Sequence, residues 1–139
     1  NSGSNSDFIE TELYTGIDWL EEVVGNIRKL KSLKKNWDSY KGLPIDKNLI
    51  SAAVQILSEI KSLRKKIPKP FVGPIGNGGI DIQWDCGEKF LSIKLRVDGS
   101  SRFFYFDRKN NLDENGPIQI NKAGNVDGRE ISDIIDRFF

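Results

Sequence analysis

Acidic side chains near a lysine are the residues of this sequence best suited to catalysis. Asp81, Asp85 and Glu88 lie close together along the chain, and Lys94 follows them. Metal-dependent nucleases place an acid and an acid-x-lysine motif on neighbouring strands, where the carboxylates hold a divalent ion. Here the position two before Lys94 is Ser92, and no other predicted strand supplies an acid-x-lysine motif. We therefore interpret these charges as solvent-exposed residues at strand edges and expect no metal site.

The other candidates for catalysis are a lone cysteine and a glycine-rich segment. The chain has no histidine, so it lacks the usual general base at neutral pH and the commonest metal ligand. Cys86 is the single cysteine, and no histidine is present to activate it as a nucleophile. The segment GPIGNGG precedes a predicted strand, whereas a phosphate-binding loop must open a helix. We therefore predict that the protein is not an enzyme and binds no cofactor.

Basic charge is concentrated between residues 28 and 66. The whole chain carries 21 Lys and Arg against 20 Asp and Glu, whereas this segment holds eleven basic residues against Asp38, Asp46 and Glu59. A net charge near zero gives no global field that attracts nucleic acids or membranes. We assign most of the local charge to the C-terminal ends of two helices, where cations complement the helix dipole. In an antiparallel pair, those ends lie apart.

Two amphipathic helices are predicted before the strands. Apolar residues recur at three- and four-residue steps from Ile17 to about Lys35, and Trp37 continues the same buried face. Asp46 is the predicted N-cap of the second helix, which ends before the two prolines of KIPKP. In the loop NWDSYKGLPI between the helices, most residues have a role in shaping the turn. Tyr40 is the exception, and we predict that it contacts a partner.

The second half of the chain predicts antiparallel strands. The segment FVGPIGNGGIDIQW indicates a hairpin that turns at residues 76–79, and residues 91–97 then alternate apolar and polar side chains. The run RFFYF predicts a further strand, RKNNLDENG a loop, and Ile118 with Ile120 a last short strand. Asp127 is the predicted N-cap of an amphipathic C-terminal helix.

These elements predict an α+β fold. We expect two N-terminal helices packed on one face of an antiparallel meander sheet of four or five strands, with a short C-terminal helix. Residues 1–12 are predicted to be a flexible tail that partly remains from cloning, and residues 13–139 a single domain. No apolar run approaches the roughly 20 residues needed to span a bilayer. With one cysteine, a cytoplasmic protein without membrane contact is expected.

The aromatic run RFFYF predicts an unusual sheet surface. Residues 103–106 point alternately to the two faces, so at least two aromatic side chains lie away from the two N-terminal helices. Either the C-terminal helix covers them or a partner binds there. The predicted partner-binding residues are Tyr40, Lys94, Arg96, Phe104 and Phe106. Since basic and aromatic side chains on a sheet also form single-strand stacking platforms, nucleic-acid or nucleotide binding is the alternative.

The run LKKNWDSYKGLPIDKNLISAAVQIL, with GGIDIQW downstream, resembles a widespread class of small bacterial and phage proteins. Those proteins carry a W-D-G-Y-G-A-x-P-I-like motif before a helix and then a glycine-glycine strand that ends in tryptophan. The resemblance covers about residues 30–95, with Ser39 and Lys41 where the common pattern has glycines. It implies the order helix, loop, helix, hairpin and a setting in mobile elements or defence, without a particular activity.

The sequence thus predicts a non-enzymatic protein-interaction module of bacterial or phage origin. We expect an antitoxin-like or anti-defence inhibitor that acts by binding a partner protein. The absence of histidine and of a recognisable nucleophile or metal motif favours this hypothesis. The surplus of aromatic side chains on a strand favours it as well.

Overall fold

The computed structural model describes residues 19–38, 42–64, 66–121 and 124–138. In this part of the chain the fold is α+β, as predicted. Residues 19–29 are helical and belong to helix α1, which a 3-10 turn at Leu30–Ser32 follows. The other elements are α2 (Lys47–Leu63), β1 (Phe71–Pro74), β2 (Ile80–Asp85), β3 (Lys89–Leu95), β4 (Arg102–Asp107), β5 (Leu112–Pro117) and α3 (Gly128–Phe138). Tyr40 and the predicted tail lie outside the described residues.

The five strands form one antiparallel sheet in which each strand pairs with the next along the chain. This order confirms the predicted meander. The glycine-rich turn between β1 and β2 is also confirmed: Ile75 N donates to Gly79 O at 2.9 Å, and Gly78 N donates to Ile75 O at 3.0 Å. Gly78 has a φ of 91°, which a residue without Cβ adopts at no steric cost.

One face of the sheet, here called the inward face, belongs to the hydrophobic core. Ile82, Ile93 and Phe103 are neighbours in register across β2, β3 and β4, and all three are buried. The helical members of the same core include Trp19, Val23, Ile27, Ile56, Leu57, Ile60, Ile131, Ile135 and Phe138. Because side chains alternate along a strand, the residues between the inward ones point to the opposite face.

Helices α2 and α3 begin at the predicted caps. Asp46 Oδ1 accepts hydrogen bonds from Asn48 N at 2.8 Å and from Leu49 N at 3.2 Å. Asp127 Oδ1 accepts one from Arg129 N at 2.9 Å. In both helices the carboxylate satisfies backbone donors of the first turn, which have no partner inside the helix. The capping signals in the sequence therefore predict both starts correctly.

Helix α3 contacts the inward face of the sheet. The Phe138 ring stacks on Tyr105, with ring centroids 3.9 Å apart and planes inclined by 19°. It also lies 5.6 Å from the Phe103 ring. Phe138 is buried. The sequence leaves open whether the C-terminal helix covers the outward aromatic side chains. The ring contacts of Phe138 are with the inward aromatics and not with Phe104 or Phe106.

The loop between α1 and α2 is hydrogen-bonded to the turn of the first hairpin. Leu43 N donates to Gly76 O at 2.8 Å, and Asp46 N donates to Gly78 O at 3.0 Å. A Cβ at Gly42 would lie 2.6 Å from Asp38 Oδ1, so the Asp38 side chain would have to shift to admit one. Residues 43–46 and the hairpin turn at residues 76–78 are therefore joined directly in space.

Helix α1 ends earlier than predicted. The sequence predicts a helix to about Lys35 with Trp37 on its buried face, but residues 35–38 form a turn. Asn36 has a φ of 66°, in the left-handed region that a continuing α-helix cannot contain. Trp37 is half-buried, and its Nε1 donates to Leu43 O at 2.7 Å. Trp37 therefore closes the loop and does not extend the helix face.

The last strand lies elsewhere than predicted. The sequence predicts a loop over RKNNLDENG and a strand at Ile118 and Ile120, whereas β5 is Leu112–Pro117 and pairs with β4. Ile120 forms only an isolated bridge with Val126. Five of the six β5 residues are exposed, because β5 is an edge strand. Such a strand has no alternation of apolar and polar residues by which the sequence could predict it.

Candidate functional site

The outward side of the sheet, here called the open face, carries aromatic and charged side chains together. The strand register and the alternation of side chains define its members. They are Phe71, Gly73, Asp81, Gln83, Asp85, Phe90, Ser92, Lys94, Arg102, Phe104, Phe106, Asp113, Asn115 and Pro117. This face is the candidate functional site.

A hydrogen-bonded polar cluster lies on strands β2 and β3 of the open face. Asp81 on β2 accepts hydrogen bonds from Gln83 Nε2 at 2.6 Å, Ser92 Oγ at 2.7 Å and Lys94 Nζ at 2.8 Å. Asp81 retains 9% of its accessible surface and Ser92 2%. A carboxylate with so little solvent contact needs these donors, because an unpaired buried charge is costly. The cluster therefore has a structural task.

Phenylalanines on β1, β3 and β4 border the polar cluster. Phe90 on β3 is the direct cross-strand neighbour of Phe106 on β4, and Phe104 is the neighbour of Ser92. Phe106 exposes 47% of its surface, and Phe71 on β1 exposes 65%. Phe104 and Phe90 are half-buried. Solvent contact at several rings on one surface is typical of an interaction site.

The basic side chains on and beside the open face already have polar partners. Lys94 is ion-paired with Asp81, and Arg102 Nη2 donates to Asn115 Oδ1 at 2.7 Å. Arg108, which follows β4, lies 3.2 Å from Asp85 Oδ1. The pKa of Asp85 lies below its ordinary value. The main cause is the hydrogen bond from the Arg108 side chain, and the next is the hydrogen bond from the Gly87 backbone. Cationic and anionic groups are thus balanced across this surface.

Three of the five predicted contact residues meet on the open face. Lys94, Phe104 and Phe106 lie on adjacent strands β3 and β4. Arg96 lies beyond the end of β3, where its Nη1 donates to Ser100 O at 3.3 Å. It lines a cavity of about 320 Å³ beside the N-terminus of α2. Tyr40, the fifth, is not among the described residues.

Sequence reasoning missed several members of the open face. Phe71 and Phe90 complete its aromatic surface, and Asp81, Gln83 and Ser92 form the polar cluster around Lys94. The alternation of side chains along the chain contains part of the signal. It places Asp81 and Gln83 on the same side of one strand, and Phe90, Ser92 and Lys94 on the same side of the next. The sequence does not give the pairing register of β2 with β3, which puts these two groups side by side on the open face.

The acids singled out for chemistry have different partners, and the interpretation of them as solvent-exposed charges at strand edges is wrong for Asp81, which is buried. Asp81 is held by three donors, whereas Asp85 contacts Arg108. Within the described residues there is no group of three or more His, Cys, Asp and Glu placed to hold a metal ion. Cys86 is exposed, and desolvation by neighbouring atoms, with a smaller contribution from Asp85, raises the pKa of its thiol. A raised pKa keeps the sulfur in its less nucleophilic protonated form.

Two further observations complete the description. Among the described residues, no helix is long and apolar enough to cross a membrane. No protein-family model, curated protein or solved structure matches the chain.

Proposed function

We propose that the protein is a non-enzymatic interaction module that binds a partner protein through the open face of its sheet. The observation that carries the proposal is the group of exposed and half-buried phenylalanines that share this face with the hydrogen-bonded polar cluster of Asp81, Gln83, Ser92 and Lys94. The proposal takes helices α1 and α2 to lie together on the inward face, as the sequence predicts. The open face is then the side of the sheet available to a partner.

The energetics of aromatic burial support this proposal. Burying a phenylalanine side chain completely contributes about 1.5–3 kcal/mol relative to leaving it exposed. Phe106 and Phe71 retain 47% and 65% of their surface, so each has part of this free energy still to gain. Protein interfaces concentrate their affinity in a few such aromatic residues. Phe106, beside Phe104 and Phe90, is the central contact that we propose.

The charge balance favours a protein partner over a nucleic acid. Binding to a nucleic acid depends on cations that contact phosphates and release counterions. Lys94 and Arg102 already have partners in Asp81 and Asn115. A phosphate backbone would have to replace these contacts and would meet the Asp81 and Asp85 carboxylates. A protein surface can instead cover the rings and leave the ion pairs intact.

Nucleic-acid or nucleotide binding is the second candidate, favoured by the adjacent Phe104 and Phe106 on the strand next to Lys94. Exposed rings on a sheet can stack with bases. This candidate predicts that single-stranded oligonucleotides bind at low salt and that their affinity falls steeply as salt rises. Fluorescence anisotropy measures both quantities. If no binding is detected at low salt, the candidate is rejected.

In its finer form, the proposal is an antitoxin-like or anti-defence inhibitor of bacterial or phage origin that acts in the cytoplasm by occupying its partner. The resemblance of the loop and hairpin segments to small bacterial and phage proteins supports this setting. Inhibition by occupation needs a surface and no catalytic group. The open face meets that requirement.

The proposal is tested by comparing what the immobilised protein captures from a bacterial lysate. Phe106→Ser removes the exposed ring from the open face, whereas Leu63→Ser removes an exposed apolar side chain at the end of α2 as a matched control. We expect a protein that the wild type and Leu63→Ser retain and that Phe106→Ser loses, by quantitative mass spectrometry. Equal capture by all three proteins would contradict the proposal.

A further inference from the structure

We infer that a groove between α1 and α2 is a second docking surface, which takes an acidic amphipathic peptide segment of a partner. This basic groove has a volume of about 630 Å³ and is lined by the cations Arg28, Lys31 and Lys47, the aliphatic residues Ile50 and Val54, and the polar residues Ser51 and Gln55. The inference is independent of the proposed function, because none of these residues belongs to the open face.

The three cations of the basic groove lack anionic partners among the described residues. Arg28, Lys31 and Lys47 are all exposed, and none of them forms a salt bridge within that part of the chain. Other basic residues of the fold, such as Arg64 and Lys69, are paired with acids. The groove therefore holds a local positive charge that no salt bridge among the described residues compensates.

The helix dipole does not account for this charge. Arg28 and Lys31 lie near the end of α1, where cations are favourable, but Lys47 is the first residue of α2. A cation at a helix N-terminus opposes the positive end of the dipole. The first turn of α2 contains no acid, and the Asp46 carboxylate is already bonded to two backbone N–H groups. Lys47 thus adds positive charge where the helix tolerates it least.

The floor of the basic groove indicates which anion fits. Beside the cations lie the aliphatic side chains of Ile50, which is buried, and Val54, which is half-buried, together with the polar side chains of Ser51 and Gln55. No aromatic side chain is among the described lining residues, so the groove offers no ring on which a base could stack. An acidic peptide with aliphatic side chains satisfies both features. Its carboxylates meet the cations while its aliphatic groups cover the floor.

The experiment uses fluorescence anisotropy with the full chain and three probes of equal charge. The probes are a labelled peptide of glutamate and leucine, the same peptide with serine for leucine, and a single-stranded oligonucleotide. We expect the leucine peptide to bind tightest. Arg28→Glu and Lys47→Glu should each weaken it about fivefold or more, because each reversal replaces an attraction with a repulsion. Lys109→Glu, which reverses an exposed lysine in the turn after β4, should leave binding unchanged.

Three outcomes would overturn the inference. They are an equal loss in the Lys109→Glu control, equal binding of the serine peptide, and tighter binding of the oligonucleotide. Circular dichroism of each variant establishes that it is folded, and the neutral change Lys47→Gln serves where a reversal unfolds the chain. Phe106→Ser should not alter peptide binding. A negative result for peptide binding in the basic groove can therefore be distinguished from a negative result for partner binding at the open face.

Discussion

Lys94 Nζ on β3 lies 2.8 Å from Asp81 Oδ2 on β2, on the open face of the sheet. The open face has two parts. One is the hydrogen-bonded polar cluster to which this pair belongs, and the other is a group of partly exposed phenylalanines. The cluster holds β2 and β3 in register on their solvent side, while the rings remain available for contact. The two parts make separate predictions for stability and for binding.

Removing the Asp81 carboxylate should destabilise the fold. Asp81→Ala leaves Ser92 Oγ, Gln83 Nε2 and Lys94 Nζ without their common acceptor. We expect a loss of about 2 kcal/mol in the free energy of unfolding, measured by urea denaturation. Asp113→Ala, an exposed acid on β5, is the control and should change stability by less than about 0.5 kcal/mol. A loss no larger than that of the control would show that the cluster contributes little.

Removing the N-cap of α2 should lower the free energy of unfolding by less than removing the Asp81 carboxylate does. Asp46→Ala leaves the backbone N–H groups of Asn48 and Leu49 without their acceptor. The expected loss is about 1 kcal/mol, and Asp46→Ser should recover most of it because serine also caps helices. Urea denaturation gives the free energies. If serine is no better than alanine, the capping explanation fails.

Removing the Phe138 ring should detach α3 from the sheet. The ring is buried and stacks on Tyr105, so Phe138→Ala leaves a cavity beside Tyr105 and Phe103. We expect a loss of about 3 kcal/mol and faster amide hydrogen exchange throughout Gly128–Phe138. Unchanged exchange in α3 would contradict its attachment through this ring.

The turn after β4 should loosen in acid. The Asp107 carboxylate accepts hydrogen bonds from the Asn110 side chain and backbone and from Lys109 N, which lower its pKa. Because the folded pKa lies below the unfolded one, the stabilisation is complete above about pH 4. It is lost as pH falls through the folded pKa. Carboxyl chemical shifts should show Asp107 titrating below an ordinary aspartate, and Asp107→Asn should abolish the acid-dependent change at the Asn110 amide.

Local signals in the sequence predict the elements well. Asp46 and Asp127 mark helix starts, and the glycines at residues 76–79 mark a hairpin, because each acts through neighbouring backbone groups. The fold class follows from the order of these elements. Strand β5 cannot be predicted from local signals, because only its pairing with β4 makes it a strand.

The candidate site is less visible in the sequence than the fold. Phe104, Phe106 and Lys94 are predictable from strand alternation, but Phe71 joins them only through the pairing of β1 with β2. Similarly, antiparallel helices predict that the basic ends of α1 and α2 lie apart. The groove arises because Lys47, at the start of α2, lines the same space as Arg28 and Lys31.

The most direct test of the open face is the affinity of the captured partner, measured by calorimetry against wild type, Phe106→Ser, Phe104→Ser and the control Leu63→Ser. Phe106 and Phe104 should each contribute at least about 1.4 kcal/mol, so each serine variant should bind about tenfold more weakly. Leu63→Ser should bind like the wild type. Wild-type affinity in both phenylalanine variants would contradict the account.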